Sequence, residues 1–165
     1  MSRIASIREL YAHAIAIERE AAGRYAELAA RMGDESNEDL AALFAGLAKL
    51  EAGHLEALER RTAGIALPPL TRTDYQWLGD AAPESPAHEL VFRLMTPRQA
   101  LLIALGAEQR AQAFFEHVLL TADDPALRGL AREMAADEQE HVQMIERMLE
   151  STPDPVVRWE RLYES

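Results

Sequence analysis

Leu50-Glu51-Ala52-Gly53-His54 and Asp137-Glu138-Gln139-Glu140-His141 each contain Glu-x-x-His. Three residues are nearly one helical turn, so in a helix each Glu and its His project from one face. A carboxylate and an imidazole placed this way can chelate one metal ion. Glu is abundant in this chain, so one such match carries little weight. The surroundings carry more. Around the first motif, Leu40, Phe44, Leu47, Ala48, Leu55 and Leu58 form an apolar stripe broken only by Glu51 and His54. Around the second, Leu130, Met134, Ala135, Val142 and Ile145 form another, broken by Glu138 and His141.

Two further stripes have the same construction. Tyr11, Ala14, Ile15, Ala21, Ala22 and Tyr25 are interrupted by Glu18, and Leu101, Ala104, Leu105, Ala111, Phe115 and Val118 by Glu108. The spacing predicts four long helices. The first runs from about Ile4 to Met32 with Gly33 as a stop, and the second from about Ser36 to Arg61 with Ser36 as cap. The third opens at Thr96-Pro97 and runs to about Leu120. The fourth opens at Asp124-Pro125 and ends before Ser151. Proline is tolerated in the first turn of a helix, and Thr and Asp are good caps. The chain also repeats: a helix with a central Glu, then a helix with Glu-x-x-His, twice over.

Residues 62–96 include Pro68, Pro69, Pro83 and Pro86. A loop of that length inside one domain has a purpose, and a bundle with a long crossover between helices 2 and 3 supplies one. Ser85-Pro86 followed by Leu90, Val91, Leu94 and Met95 suggests a short amphipathic helix there. Trp77 and Tyr75 are expected to pack the crossover onto the bundle or onto a second subunit. Residues 151–165 form a tail too short for a fifth long helix. The expected architecture is all-α, a single domain over residues 1–165.

Composition narrows the function. Among 165 residues, 48% are hydrophobic and 27% charged, a globular balance rich in Ala, Leu and Glu. The net charge of −11 argues against nucleic acid and against anionic membranes. There is no cysteine, so thiolate metal sites and disulfides are excluded from this chain. Met1–Leu10 lacks a signal-like apolar core, and charges break every apolar run. These features point to a soluble cytoplasmic protein.

Every helix aims one Glu along its apolar face. Buried carboxylates without partners cost several kcal/mol or take up protons, and four together repel one another. Cations are the simple remedy, and two divalent ions balance four carboxylates. Oxygen and imidazole donors suit iron or manganese, and zinc also fits. His13, His88 and His117 lack a Glu at the required spacing and read as non-ligands. Glu20, Glu116 and Glu140 are expected to turn outward, with Glu116, two turns beyond Glu108, the nearest rival.

One Glu from each of two helices, with Glu-x-x-His from each of the other two, resembles the ferritin-like di-iron carboxylate pattern. Within it, Glu18-Arg-Glu-Ala-Ala-Gly-Arg-Tyr25, Phe44-Ala-Gly-Leu-Ala-Lys-Leu-Glu51-Ala-Gly-His54 and Ala135-Ala-Asp-Glu138-Gln-Glu-His141-Val look most like the rubrerythrins. The resemblance covers the four helices and implies a ferritin-like four-helix bundle. It implies Glu18, Glu51, His54, Glu108, Glu138 and His141 as ligands to two iron ions, with Glu51 and Glu138 bridging. Tyr25 would donate a hydrogen bond to a ligand carboxylate, and Asp137 would orient a ligand His, with His54 expected. Leu50 and Phe115 stand at the matching places of the other half and offer no such support. A haem-binding Met would stand where Ala52 is, so haem is not expected.

The implied activity is that of a non-haem di-iron oxidoreductase reducing hydrogen peroxide or oxygen, with electrons from an external donor protein. The resemblance also implies a homodimer or larger homo-oligomer. Typical rubrerythrins carry a cysteine-held iron domain that this chain lacks, and Ala111 stands where they tend to carry a second Glu. A ferroxidase acting on Fe(II), a dimanganese enzyme that disproportionates peroxide, and a metal-stabilised helical binding protein remain as alternatives.

Overall fold

The computed structural model describes residues 3–34, 37–70 and 96–153. Four helices account for most of them: α1 (Ile7–Asp34), α2 (Glu38–Arg61), α3 (Pro97–Thr121) and α4 (Pro125–Glu150). No strand is present among the described residues.

Helix starts follow local chemistry. Thr96 forms a complete capping box with Gln99, and Pro97 occupies the first turn. The Asp124 side chain accepts from the Ala126 N–H at 3.1 Å ahead of Pro125. Two boundaries differ from the expected ones. The first helix begins at Ile7 because the Ser6 hydroxyl accepts from the Glu9 N–H at 3.2 Å, and it runs through Gly33 to Asp34. Gly33 therefore does not stop it. The second helix is capped by Asn37, whose side chain accepts from the Leu40 N–H at 3.2 Å; Ser36 lies outside the described residues. Beyond Arg61, Gly64 takes a left-handed φ of 79°, which costs glycine little. The suggested helix near Ser85, Trp77, Tyr75, His88 and nearly all of the tail lie outside the described residues.

The short links make α1–α2 and α3–α4 antiparallel hairpins. Arg3, before α1, donates to the Thr121 carbonyl at 2.9 Å and pairs with Asp123, so α1 runs antiparallel to α3. It follows that α2 and α3 are parallel. The chain must then travel back along a helix of 24 residues, roughly 36 Å at the α-helical rise. The crossover is a geometric necessity of this arrangement.

Carbonyl ends of helices meet cations. Arg98 donates to the Leu149 and Thr152 carbonyls at 3.2 and 2.8 Å, and Arg128 to the Leu119 carbonyl at 2.8 Å. Between the helices lie two apolar clusters. One gathers Leu10, Ile15, Leu58, Phe114, Phe115, Leu127 and Met134. The other gathers Tyr25, Leu28, Phe44, Leu47, Leu101 and Ile145. Each fully buried large side chain contributes about 1.5–3 kcal/mol. The polar residues of the four stripes fall at the waist between the clusters. No described helix is long and apolar enough to cross a membrane.

Candidate metal centre

Each of the four helices contributes its central Glu to the waist. Glu18 and Glu51 are 0% exposed, Glu138 1% and Glu108 3%. The apolar stripes dictate this: a residue in register with Ile15 and Ala21, or with Leu47 and Leu58, goes inside with them. His141 is buried on α4, while the His54 side chain on α2 is 32% exposed. The two imidazoles stack with centroids 5.5 Å apart.

The distances tie all six expected residues into one cluster. His141 Nδ1 lies 2.8 Å from Glu51, 3.6 Å from Glu108 and 3.7 Å from Glu138. His54 Nδ1 lies 3.9 Å from both Glu18 and Glu51. Two groups have the compactness that a metal ion requires: Glu51, His54 and His141, and Glu51, Glu108, Glu138 and His141. Glu51 and His141 belong to both. Glu18 joins the cluster through Glu51 and His54.

These buried groups are poorly satisfied by the protein itself. Both carboxylate oxygens of Glu18 and of Glu51, and Nδ1 of His54 and His141, are buried with no hydrogen-bond partner. The 2.8 Å approach of His141 to Glu51 lacks hydrogen-bond geometry. Buried polar atoms are almost always paired, so this concentration of orphans marks a place suited to something other than protein donors. Oxygen and imidazole nitrogen donors of this kind fit iron, manganese or zinc.

The electrostatics agree. Burial, with the neighbouring Glu51 and Glu138, pushes the Glu18 carboxyl up to about 12. Burial and Glu108 likewise push Glu138 well above the carboxylate range. Burial opposes charge on His141, but the close Glu108, Glu138 and Glu51 carboxylates outweigh it and raise its pKa. Burial also acts to raise Glu108; the neighbouring Glu138 and His141, with the hydrogen bond from Tyr25, overcome it and bring the group down to about 2. Without metal, burial and carboxylate neighbours favour a proton on Glu18 and on Glu138, while Glu108 is driven toward its anionic form.

Tyr25, fully buried, donates its hydroxyl to Glu108. Burial and the Glu108 carboxylate push that hydroxyl's pKa up, which keeps it a donor. Asp137 is half-buried on α4. Burial raises its pKa, and His54 is the first charge acting against that rise. Asp137 therefore lies within electrostatic reach of His54, although no hydrogen bond joins them among the described residues. Phe115 and Leu50, at the corresponding places, are a buried core ring and an exposed side chain.

The expected bystanders stay out. Glu20, Glu116 and Glu140 are exposed. Glu116 accepts from Gln112 at 3.0 Å. His13 bonds the Glu9 carbonyl at 2.8 Å and stacks on Phe114. His117 is exposed. Small Ala residues near the ligands leave room beside the site: Ala21, Ala107 and Ala111 line a recess between α1 and α3 that reaches Glu108 and Glu138.

Comparison with known proteins meets this geometry. The rubrerythrin family model matches residues 9–73, and a ferritin-like domain model matches residues 97–162. Among solved structures, an uncharacterized conserved protein from Magnetospirillum magnetotacticum MS-1 is 33% identical, covering 92% of this chain and 99% of that one with a TM-score of 0.80. No curated protein matches the sequence significantly. The bundle is ferritin-like, and each family model spans one helical hairpin with its Glu and its Glu-x-x-His.

Proposed function

Because this chain belongs to the rubrerythrin-like members of the ferritin-like superfamily, we propose that its waist holds two iron ions and reduces hydrogen peroxide or, more slowly, oxygen. The observation that carries this reading is the set of orphaned buried donors, the Glu18 and Glu51 oxygens and the Nδ1 atoms of His54 and His141, within a cluster of four carboxylates and two imidazoles converging from four helices. Glu18, Glu51, His54, Glu108, Glu138 and His141 are the ligands. Glu51 is shared by both compact groups, and Glu138 belongs to the larger one.

Iron held by these six residues would supply, by passing from the +2 to the +3 state at both ions, the two electrons that hydrogen peroxide, with two protons, needs to become two waters. The protein's part is to hold and to donate. Tyr25 fixes the orientation of Glu108 through its hydroxyl and adds to the pull of Glu138 and His141 toward the carboxylate form. Glu18 and Glu138 release protons when cations replace them, so loading and proton release are coupled. The two apolar clusters exclude bulk water above and below the waist. With no cysteine, this chain carries no thiolate-held electron relay, so reducing equivalents reach the site from outside it.

The test is anaerobic loading with Fe(II), an iron count, and then oxidation by peroxide and by oxygen in parallel. Two irons per chain with faster oxidation by peroxide support the proposal. Faster oxidation by oxygen, followed by iron release or accumulation, replaces it with a ferroxidase. No bound iron overturns it.

A further inference from the structure

The seams of the bundle are not closed in the same way. Between α2 and α4, Arg61 reaches across to Glu133, one guanidinium nitrogen at 3.2 Å. Between α1 and α2, Arg19 reaches Glu59 at 3.3 Å. Between α1 and α3 the helices instead face each other with Ala21, Ala107 and Ala111, and a recess remains. Its floor is the pair Glu108 and Glu138. Its outer part carries Glu20 and Arg24, which pair with each other at 3.1 Å and have side chains 42% and 23% exposed.

Three properties of this recess bear on what passes through it. It leads from exposed side chains to two candidate metal ligands, so it joins solvent to the centre. Its free space is about that of one water molecule. Its outer part is electroneutral once Arg24 has paired with Glu20, so it offers no net attraction to an ion when Glu108 and Glu138 are themselves neutralised.

We infer that the α1–α3 recess is the port by which a neutral ligand of two heavy atoms, hydrogen peroxide or dioxygen, reaches the Glu108–Glu138 side of the centre, and that the Ala21–Ala107–Ala111 wall sets its size limit. The inference rests on the two-metal reading above and adds to it the oxidant's route and its size limit. Alkyl hydroperoxides carry the same reactive group on a body too wide for the wall, so the port excludes them. Leu at position 111 or 107 keeps good helix propensity and fills the space.

The experiment compares the wild-type chain with Ala111→Leu and, as a second plug from a neighbouring turn, Ala107→Leu. Each protein is loaded anaerobically with Fe(II), and the bound iron is counted. Association of nitric oxide with the reduced protein is then followed by absorbance in stopped flow, and oxidation by hydrogen peroxide and by tert-butyl hydroperoxide is timed. With the iron count unchanged, either plug slows nitric oxide association and peroxide oxidation at least about tenfold. Wild type oxidises with tert-butyl hydroperoxide at least about a hundredfold more slowly than with hydrogen peroxide, since access limits the reaction. Full iron with wild-type rates in both plugged variants overturns the port and leaves the two-metal reading standing. Failure of wild type to bind iron overturns that reading, and the port with it.

Discussion

The α1–α2 and α3–α4 halves carry the same three residues in the same order, yet they do not build equal halves of the centre. In the second half His141 is 3% exposed, and Glu108 accepts the Tyr25 hydroxyl and is brought down in pKa chiefly by its neighbours Glu138 and His141. In the first half His54 is about one-third exposed, and Glu18 keeps a proton with both oxygens unpartnered. The supports are exchanged between halves: Tyr25 of the first serves Glu108 of the second, and Asp137 of the second lies within reach of His54 of the first. Leu50 and Phe115, at the matching positions, return nothing. A repeat can preserve ligands while its supporting groups diverge, and the result is one half with a buried His and a Tyr-bonded Glu beside one whose His is partly open and whose first Glu has no partner.

The largest effect should come from the residue both halves share. Glu51→Ala removes a member of both compact groups, and bound metal should fall from about two per chain to below one, read by elemental analysis after desalting. The loss of the carboxylate also relieves repulsion, so the metal-free variant should melt no lower than the metal-free wild type.

Next comes the contrast between the histidines. His141→Ala strips a nearly buried imidazole that lies within 3.7 Å of three carboxylates, and it should abolish tight binding of both ions. His54→Ala should spare the first ion and weaken the second by more than about 10–100-fold, the range for losing only an outer support of a metal ligand. Equal losses in competition titrations with a chelator would show that the asymmetry is unimportant.

The pH dependence sharpens the same point. Glu18, Glu138 and His141 bind protons more tightly in the folded chain than in the unfolded one. Above about pH 4.5 for the carboxyls, and about 6.5 for the imidazole, the unfolded chain loses protons that the fold retains. Metal-free stability therefore falls as pH rises from about 5 to 8, by on the order of 1 kcal/mol per unit per group. Glu108 acts oppositely, adding stability between about pH 2 and 4.5. Thermal melts should show the metal-free protein more stable at mildly acid pH, and the metal-loaded protein the reverse, because binding competes with protons. The Glu18→Gln variant should flatten the metal-free slope.

Smaller still is Tyr25→Phe. It deletes a hydrogen bond to a charged acceptor, worth about 1.5–3 kcal/mol, and should weaken the ion at Glu108 while leaving the ring's packing against Phe44 intact. Asp137→Asn should be the mildest, a change of a few-fold confined to the His54 side. A larger effect on His141 than on His54, read from imidazole NMR signals, would contradict the exchange of supports.

Much of the centre is legible in the amino-acid sequence because a Glu that interrupts an apolar helical stripe has nowhere to go but inward. Four such interruptions, two followed by His, suffice for the six residues. The Thr96 and Asp124 helix starts are equally legible, since caps are local chemistry. The boundaries at Gly33 and Ser36 are not, because Asn37 can serve as well as Ser36 and a helix can continue through glycine at modest cost. Depth is also hidden: periodicity puts His54 and His141 on inward faces alike, and only the packing of neighbouring helices leaves one of them partly open. The partner of Tyr25 and the α1–α3 recess depend on how helices are set against each other, and spacing along one helix carries no record of that.

The central claim is tested most directly by anaerobic Fe(II) titration calorimetry of the metal-free protein in buffers of different ionisation enthalpy. Two ions per chain, bound in two unequal steps with release of protons, are the predicted result. Absence of binding, or binding that Glu51→Ala leaves unchanged, would contradict it and reduce the six residues to the interior of an unusually acidic bundle.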